Sequence, residues 1–171
     1  MSTRIVLLAL TVGAATPMAV TLDLRPAPRL LWNASESVPK GLYVVQPARR
    51  LIVADLVVAF PPEPIASFLA DGGYLPRGIP LIKRILALPD RIVCRRDLAI
   101  TVDALDIGAA RERDSRGRPL PVWQGCHMVR HDEVFLMNSS EPTSLDSRYF
   151  GPLPLTAIAG RATPLWTLEK Q

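Results

Sequence analysis

The sequence predicts a mainly β, antiparallel-sheet domain behind an N-terminal membrane helix, and three observations predict it. Prolines number 17 among 171 residues, roughly twice ordinary usage. Between 26 and 89 they recur too often for any long helix, which excludes a helical bundle. Short runs rich in β-branched residues alternate with Pro, Gly and Asp, the pattern of antiparallel strands joined by turns. Finally, an uncharged stretch from Ile5 to Leu22 stands between Arg4 and Asp23.

Taken in order, Ile5 to Leu22 would span about 27 Å as a helix, close to the hydrocarbon thickness of a bilayer. Its basic start and its small residues Ala14, Ala15 and Ala19 suit either a secretory signal or an uncleaved anchor. Gly13 and Pro17 disfavour a buried soluble helix. Residues 1–24 are therefore expected as anchor or signal, and residues 25–171 as the domain across the membrane. Arg25–Arg29 is an extended, proline-stiffened spacer. Strands are expected at Leu42–Val45, Leu51–Val53, Leu56–Phe60, Leu81–Leu88, Arg91–Val93, Ile100–Val102 and Glu133–Met137. One short helix is expected at Pro64–Asp71, with Ile65, Phe68 and Leu69 on one face and Gly72-Gly73 as its stop. Residues 104–124 carry Gly108, Gly117, Pro119 and Pro121 and are expected as an exposed hairpin or insertion. Leu30-Leu31-Trp32 is expected to pack into the core, with the membrane interface as the alternative.

Apolar residues make up 49% and charged residues 21% of the chain, enough to bury a core. A formal charge of +4 is mild. The basic residues sit in scattered pairs without interleaved aromatics, as solvated loops do, so no nucleic-acid partner is expected. His127 and His131 lie four apart in a polar segment with no triad setting, and Cys126 to Asp132 lacks a second ligand half. No metal and no cofactor are expected.

Serine with lysine remains. Ser35-Glu36-Ser37-Val38-Pro39-Lys40-Gly41 puts two hydroxyls before a turn, where Pro39 restrains Val38 and holds Ser37 at a bend; a plain turn-initiating pair is the other reading. Lys83 lies inside an apolar strand with Arg84 beside it. Alternation puts Lys83 with Leu81, Ile85 and Ala87, and Arg84 with Ile82, Leu86 and Leu88, so pattern alone does not say which charge is buried. A buried Lys83 has its pKa lowered and becomes a general base for a serine hydroxyl. Ser144, Asp146, Ser147 and Arg148 gather hydroxyl, carboxylate and guanidinium groups within five residues. They suit bracing through an ion pair of Asp146 with Arg84 or Arg148, or a plain surface turn.

These segments together resemble the Ser/Lys signal peptidases of family S26, most closely the TraF-type peptidases of plasmid conjugation. The resemblance runs on Ser35-x-Ser37-x-Pro39-x-Gly41-Leu42-Tyr43, on Asp55-Leu56-Val57-Val58, on Gly73-Tyr74-Leu75 with Leu81-Ile82-Lys83-Arg84, and on Ser144-Leu145-Asp146-Ser147-Arg148-Tyr149-Phe150-Gly151. A shortened opening of the last box, Met137-Asn138-Ser139, favours the conjugative branch. The resemblance implies a signal-peptidase-like catalytic fold. It implies Ser37 as nucleophile, Lys83 as general base and Ser144 as the residue orienting the lysine. The oxyanion hole would be the Ser37 N–H with the Ser35 hydroxyl, and Asp146 would take part in activity. It also implies an inner-membrane protein with a periplasmic catalytic domain, acting on a membrane-embedded pilin-like or signal-peptide-bearing precursor by hydrolysis or cyclisation. In such a compartment Cys94 and Cys126 would be free to pair. The rival readings are a general signal peptidase, a non-catalytic pilus-assembly subunit, and a self-cleaving repressor; the last is opposed by an N-terminus too short and apolar for a DNA-binding domain.

Overall fold

The structure, a computed structural model, describes residues 30–168, so the expected membrane helix and spacer lie outside the described residues. Eleven strands form two antiparallel sheets among those residues. The strands are β1 (Leu30–Asn33), β2 (Gly41–Gln46), β3 (Leu56–Ala59), β4 (Leu81–Ala87), β5 (Ile92–Arg96), β6 (Ala99–Val102), β7 (Leu105–Ala109), β8 (Gly125–Met128), β9 (Glu133–Leu136), β10 (Leu153–Pro154) and β11 (Ile158–Thr167). The larger sheet runs β1-β2-β11-β3-β4-β9-β10 and the smaller β7-β6-β5-β8. Helices are short: α1 (Glu63–Asp71), α2 (Ser147–Phe150) and a 3-10 turn at Leu155–Ala157. No helix among the described residues is long and apolar enough to cross a membrane.

The most apolar run makes the central strand. β3 (Leu-Val-Val-Ala) is buried on both faces between β11 and β4, which is why it does not alternate. Val57 packs with Ile85, Val134 and Leu136 on one side, while Val58 packs with Val38, Tyr43, Val45 and Ile82 on the other. The helix starts one residue before the expected Pro64, because Pro64 in the first turn needs no N–H partner. It ends as expected: Gly72 N–H returns to Phe68 O and Gly73 takes φ +65°, letting the Tyr74 N–H reach Leu69 O.

Three expectations are corrected. Leu51–Val53 is a turn, not a strand: the Asp55 carboxylate accepts the Ile52 N–H at 3.0 Å and Ala54 adopts φ +73°, so a local cap replaces ladder pairing. Leu30 and Trp32 are more than half exposed and only Leu31 packs against the core, since alternation turns the first two outward; Trp32 stacks on Trp166 at 6.0 Å between centroids. The expected single helix has a one-turn companion, α2, capped by Asp146 accepting the Arg148 N–H.

Residues 104–124 begin as the return arm of a hairpin. Asp103 and Ala104 both have positive φ and join β6 to β7, the two-residue turn that matches strand twist. The rest is largely exposed and is anchored at two points, Ala110 and Leu120, which are buried against Tyr149. Asp114 accepts the Tyr74 hydroxyl at 2.6 Å, and Arg118 donates to Gly72 O. Strand β11 carries no clear strand pattern in the sequence, because Gly160 and Pro164 interrupt it. A Cβ at Gly160 would meet Gln46 O at 2.6 Å. Pro164 lies beyond the stretch paired with β3, at a bulge in the pairing with β2, where a residue lacking an N–H is tolerated.

Candidate active site

The β1–β2 hairpin, the start of β4 and the loop before α2 converge on one cavity of about 630 Å³. Ser35 and Ser37 enter it from the hairpin loop, Lys83 from β4, and Ser144 from the loop before α2. Its walls are mostly apolar, including Leu31, Leu69, Tyr74, Leu75 and Ile79.

Asn33, at the end of β1, shapes the hairpin loop. Its Nδ2 donates to the carbonyls of Ser35, Val38 and Pro39 at 2.9, 3.0 and 3.1 Å. Its Oδ1 accepts the Ser35 N–H and the Ser35 hydroxyl, the latter at 2.8 Å. Tyr43 OH closes the loop from below by donating to Pro39 O at 2.6 Å. A hydroxyl has one proton, so Ser35, donating to Asn33, must accept at its 3.0 Å contact with Ser37 Oγ. The Ser37 hydroxyl therefore points at Ser35 in this state. Loop closure also needs Gly41, which has φ +152° and would drive a Cβ into the Trp166 carbonyl.

The packing of β4 between β3 and β9 resolves the ambiguity between its two charges. Lys83 is buried at 3% exposure and Arg84 is exposed. The Lys83 ammonium donates to Ser144 Oγ at 2.6 Å. Burial pushes its pKa down to about 8, against the attraction of Asp146; Arg148 lowers it further and Glu141 raises it.

Asp146 pairs with Arg148, not with Arg84. Arg148 Nε reaches Asp146 Oδ1 and Nη2 reaches Oδ2, both at 2.9 Å, with both side chains essentially inaccessible. Arg148 Nη2 also donates to the carbonyls of Glu141 and Ser144. Arg84, on the opposite face of β4, sends its guanidinium to Ala54 O at 3.2 Å. Its inclusion in the brace is thus corrected: neighbours in a strand face opposite ways, and Asp146 lies on the Lys83 side.

Cys94 and Cys126 face each other in the β5–β8 register and are joined as a disulfide, in the smaller sheet and away from the cavity. Beside them on β5, Arg95 is fully buried and donates to Arg148 O at 2.8 Å, tying that sheet to the Asp146–Arg148 segment. His127 pairs with Glu133 at 2.6 Å. Two asparagines went unassigned in the sequence reading, Asn33 and Asn138. Each is an amide closing an apolar run (Leu-Leu-Trp-Asn and Phe-Leu-Met-Asn), a signal that a buried polar partner is needed.

Comparison with known proteins places the chain in a family. Residues 2–166 match the family model for signal peptidase, peptidase S26. A conjugal transfer protein TraF of Agrobacterium fabrum is 36% identical over 149 residues, covering 80% of this chain and 82% of its own. A plasmid transfer protein TraF of Escherichia coli is 35% identical, covering 81% and 76%. Another TraF, of Agrobacterium tumefaciens strain 15955, is 31% identical over 94% of this chain and 92% of its own. Among solved structures, a signal peptidase I from Enterococcus faecalis V583 aligns with TM-score 0.41 and 19% identity, covering 67% of this chain and 98% of that one. The chain belongs to the signal peptidase family, peptidase S26, together with the TraF conjugal transfer proteins.

Proposed function

We propose that this chain is a Ser/Lys endopeptidase of conjugal transfer that cuts a pilin-like precursor through an acyl-enzyme. One observation carries the reading: a buried lysine amine, its pKa brought down to about 8, shares an apolar cavity with the hydroxyl of Ser37. Burying an amine without a carboxylate in direct contact is costly, and the use of such a group is to be neutral near neutral pH.

In the proposed reaction the Ser37 hydroxyl swings from Ser35 toward Lys83, and Lys83 takes its proton as Oγ attacks the scissile carbonyl. Ser144 fixes the amine's direction. The Ser37 N–H and the Ser35 hydroxyl, once rotated off Asn33, hold the oxyanion. Lys83 then returns the proton to the departing amine. The remaining ester has two fates: water releases a carboxylate, whereas the substrate's own N-terminal amine closes a ring and frees Ser37. Asp146 and Arg148 keep the segment bearing Ser144 in place.

The apolar walls suit an extended apolar peptide. The uncharged run at Ile5–Leu22 supports a membrane anchor, and the Cys94–Cys126 disulfide supports an oxidising compartment, hence an inner-membrane protein with its domain in the periplasm. The names of the relatives support a substrate in plasmid transfer. The test is a processing assay in membranes with wild type, Ser37→Ala and Lys83→Ala, products read by intact mass. Both variants should leave the precursor uncut, and a product lighter than the trimmed chain by one water reports cyclisation. Full processing by Ser37→Ala would make the chain a non-catalytic assembly subunit. Cleavage of an unrelated secretory precursor would make it a general signal peptidase.

A further inference from the structure

We propose that Asn138 is a positioning residue that sets the Ser37 peptide against the strand carrying Lys83; this rests on the Ser/Lys reading above. Asn138 is buried. Its Nδ2 donates to Ser37 O at 2.8 Å and to Ile82 O at 3.3 Å, while its Oδ1 accepts the Arg84 N–H at 2.9 Å. The amide therefore grips both residues flanking Lys83 and, across 101 positions of sequence, the peptide of Ser37. Its own N–H reaches Asp146 Oδ2 at 3.1 Å, and its carbonyl accepts from Arg148 at 3.3 Å.

The topology explains why a side chain does this work. Strand β9 pairs with β4 at Ile85 and Ala87, and the Met137 N–H still reaches Arg84 O. Beyond that point the Asn138 amide supplies one acceptor and one donor to the edge of β4, as the next residue of a partner strand would. Its second N–H is left over, and that one holds Ser37. A main-chain residue has no such third arm. Fixing the Ser37 carbonyl fixes the peptide plane that follows it, and with it the direction from which Oγ approaches Lys83. Misplacing reacting groups by about 1 Å can cost about 100-fold in rate.

The experiment uses the full chain in membranes with the uncut precursor as substrate, comparing wild type with Asn138→Ala and Asn138→Asp. The aspartate keeps the shape and the acceptor for Arg84 but loses both donors, so it serves if the alanine variant does not fold. Expected is a fall in kcat of about 10- to 100-fold in folded protein, with KM little changed. A second arm reads geometry without catalysis. In a Ser37→Cys chain the native cysteines are disulfide-bonded, so iodoacetamide reports on a single thiol, and adding either Asn138 variant should change its alkylation rate about tenfold. Folded variants with unchanged kcat, or an unchanged alkylation rate, would overturn the proposal. A fully active Ser37→Ala chain would remove the peptidase reading alone, leaving the thiol arm to decide on Asn138.

Discussion

Lys83 Nζ and Ser144 Oγ lie 2.6 Å apart, each side chain almost wholly removed from water. They come from segments 61 residues apart, and an ammonium can only donate, so the Ser144 oxygen is the acceptor. The bond pins the amine in the wall of the cavity that Ser37 also lines, and burial lowers its pKa to about 8. At neutral pH only about a tenth of it is uncharged.

Processing should therefore accelerate as pH rises through about 8 and level off above. In the folded protein the amine binds its proton less tightly than in the unfolded chain, whose value is 10.5. The unfolded state thus holds more protons between those two values, and stability rises with pH across that window. Below pH 8 the buried charge costs about 3 kcal/mol. Lys83→Met is expected to be inactive yet more stable than wild type near pH 7, with the gap narrowing toward pH 10. Denaturant melts at several pH values measure this; a gap that widens with pH would contradict it.

Ser35 gives its proton to Asn33 and accepts that of Ser37. Ser35→Ala removes a loop brace and, in the proposed reaction, an oxyanion donor together. Loss of one such donor typically lowers kcat about 100- to 1000-fold, and Ser35→Thr should recover much of the rate. Steady-state kinetics with a precursor peptide distinguishes the two variants.

The buried Asp146–Arg148 pair and the exposed Arg84 should behave oppositely. Removing one partner of a buried pair strands the other, so Arg148→Ala and Asp146→Ala are each expected to cost about 3–5 kcal/mol. Arg84→Ala should stay within about 0.5 kcal/mol of wild type. Urea unfolding of the three variants is the measurement, and a large loss at Arg84 would contradict the pairing described.

Cys94 and Cys126 close a loop with a sequence separation of 32. Chain-entropy arguments put the stabilisation at about 3–4 kcal/mol. The Cys94→Ser/Cys126→Ser double variant should melt correspondingly lower, and reductant should lower wild type to match it. Because the bridge lies in the smaller sheet, folded double variant should retain processing; lost activity in folded protein would show that the smaller sheet governs the site through Arg95.

Most of the fold was legible because its strands carry their own local signals. Leu56–Ala59 is unbroken apolar sequence, Pro64 and Gly72-Gly73 bracket the helix, and Glu133–Leu136 alternates with nothing. Strands whose partners supply the reason for their existence were not legible. β11 contains Gly160 and Pro164, which read as breakers until Gln46 and the end of β3 are seen beside them. Leu51–Val53 misled in the opposite sense, since β-branched composition lost to an Asp55 cap three residues on.

For the site, residue chemistry narrowed the candidates to three short segments, and the family resemblance carried by those segments nominated Ser37, Lys83, Ser144 and Asp146 within them. Contacts were another matter. Which of Lys83 and Arg84 turns inward, that Lys83 bonds Ser144, and that Asn138 holds both the Ser37 peptide and β4, depend on segments brought together from 54 to 101 positions apart. A linear pattern encodes faces and breaks over a few residues; partners at that range are selected by burial and sheet register, which exist only once the chain has closed on itself.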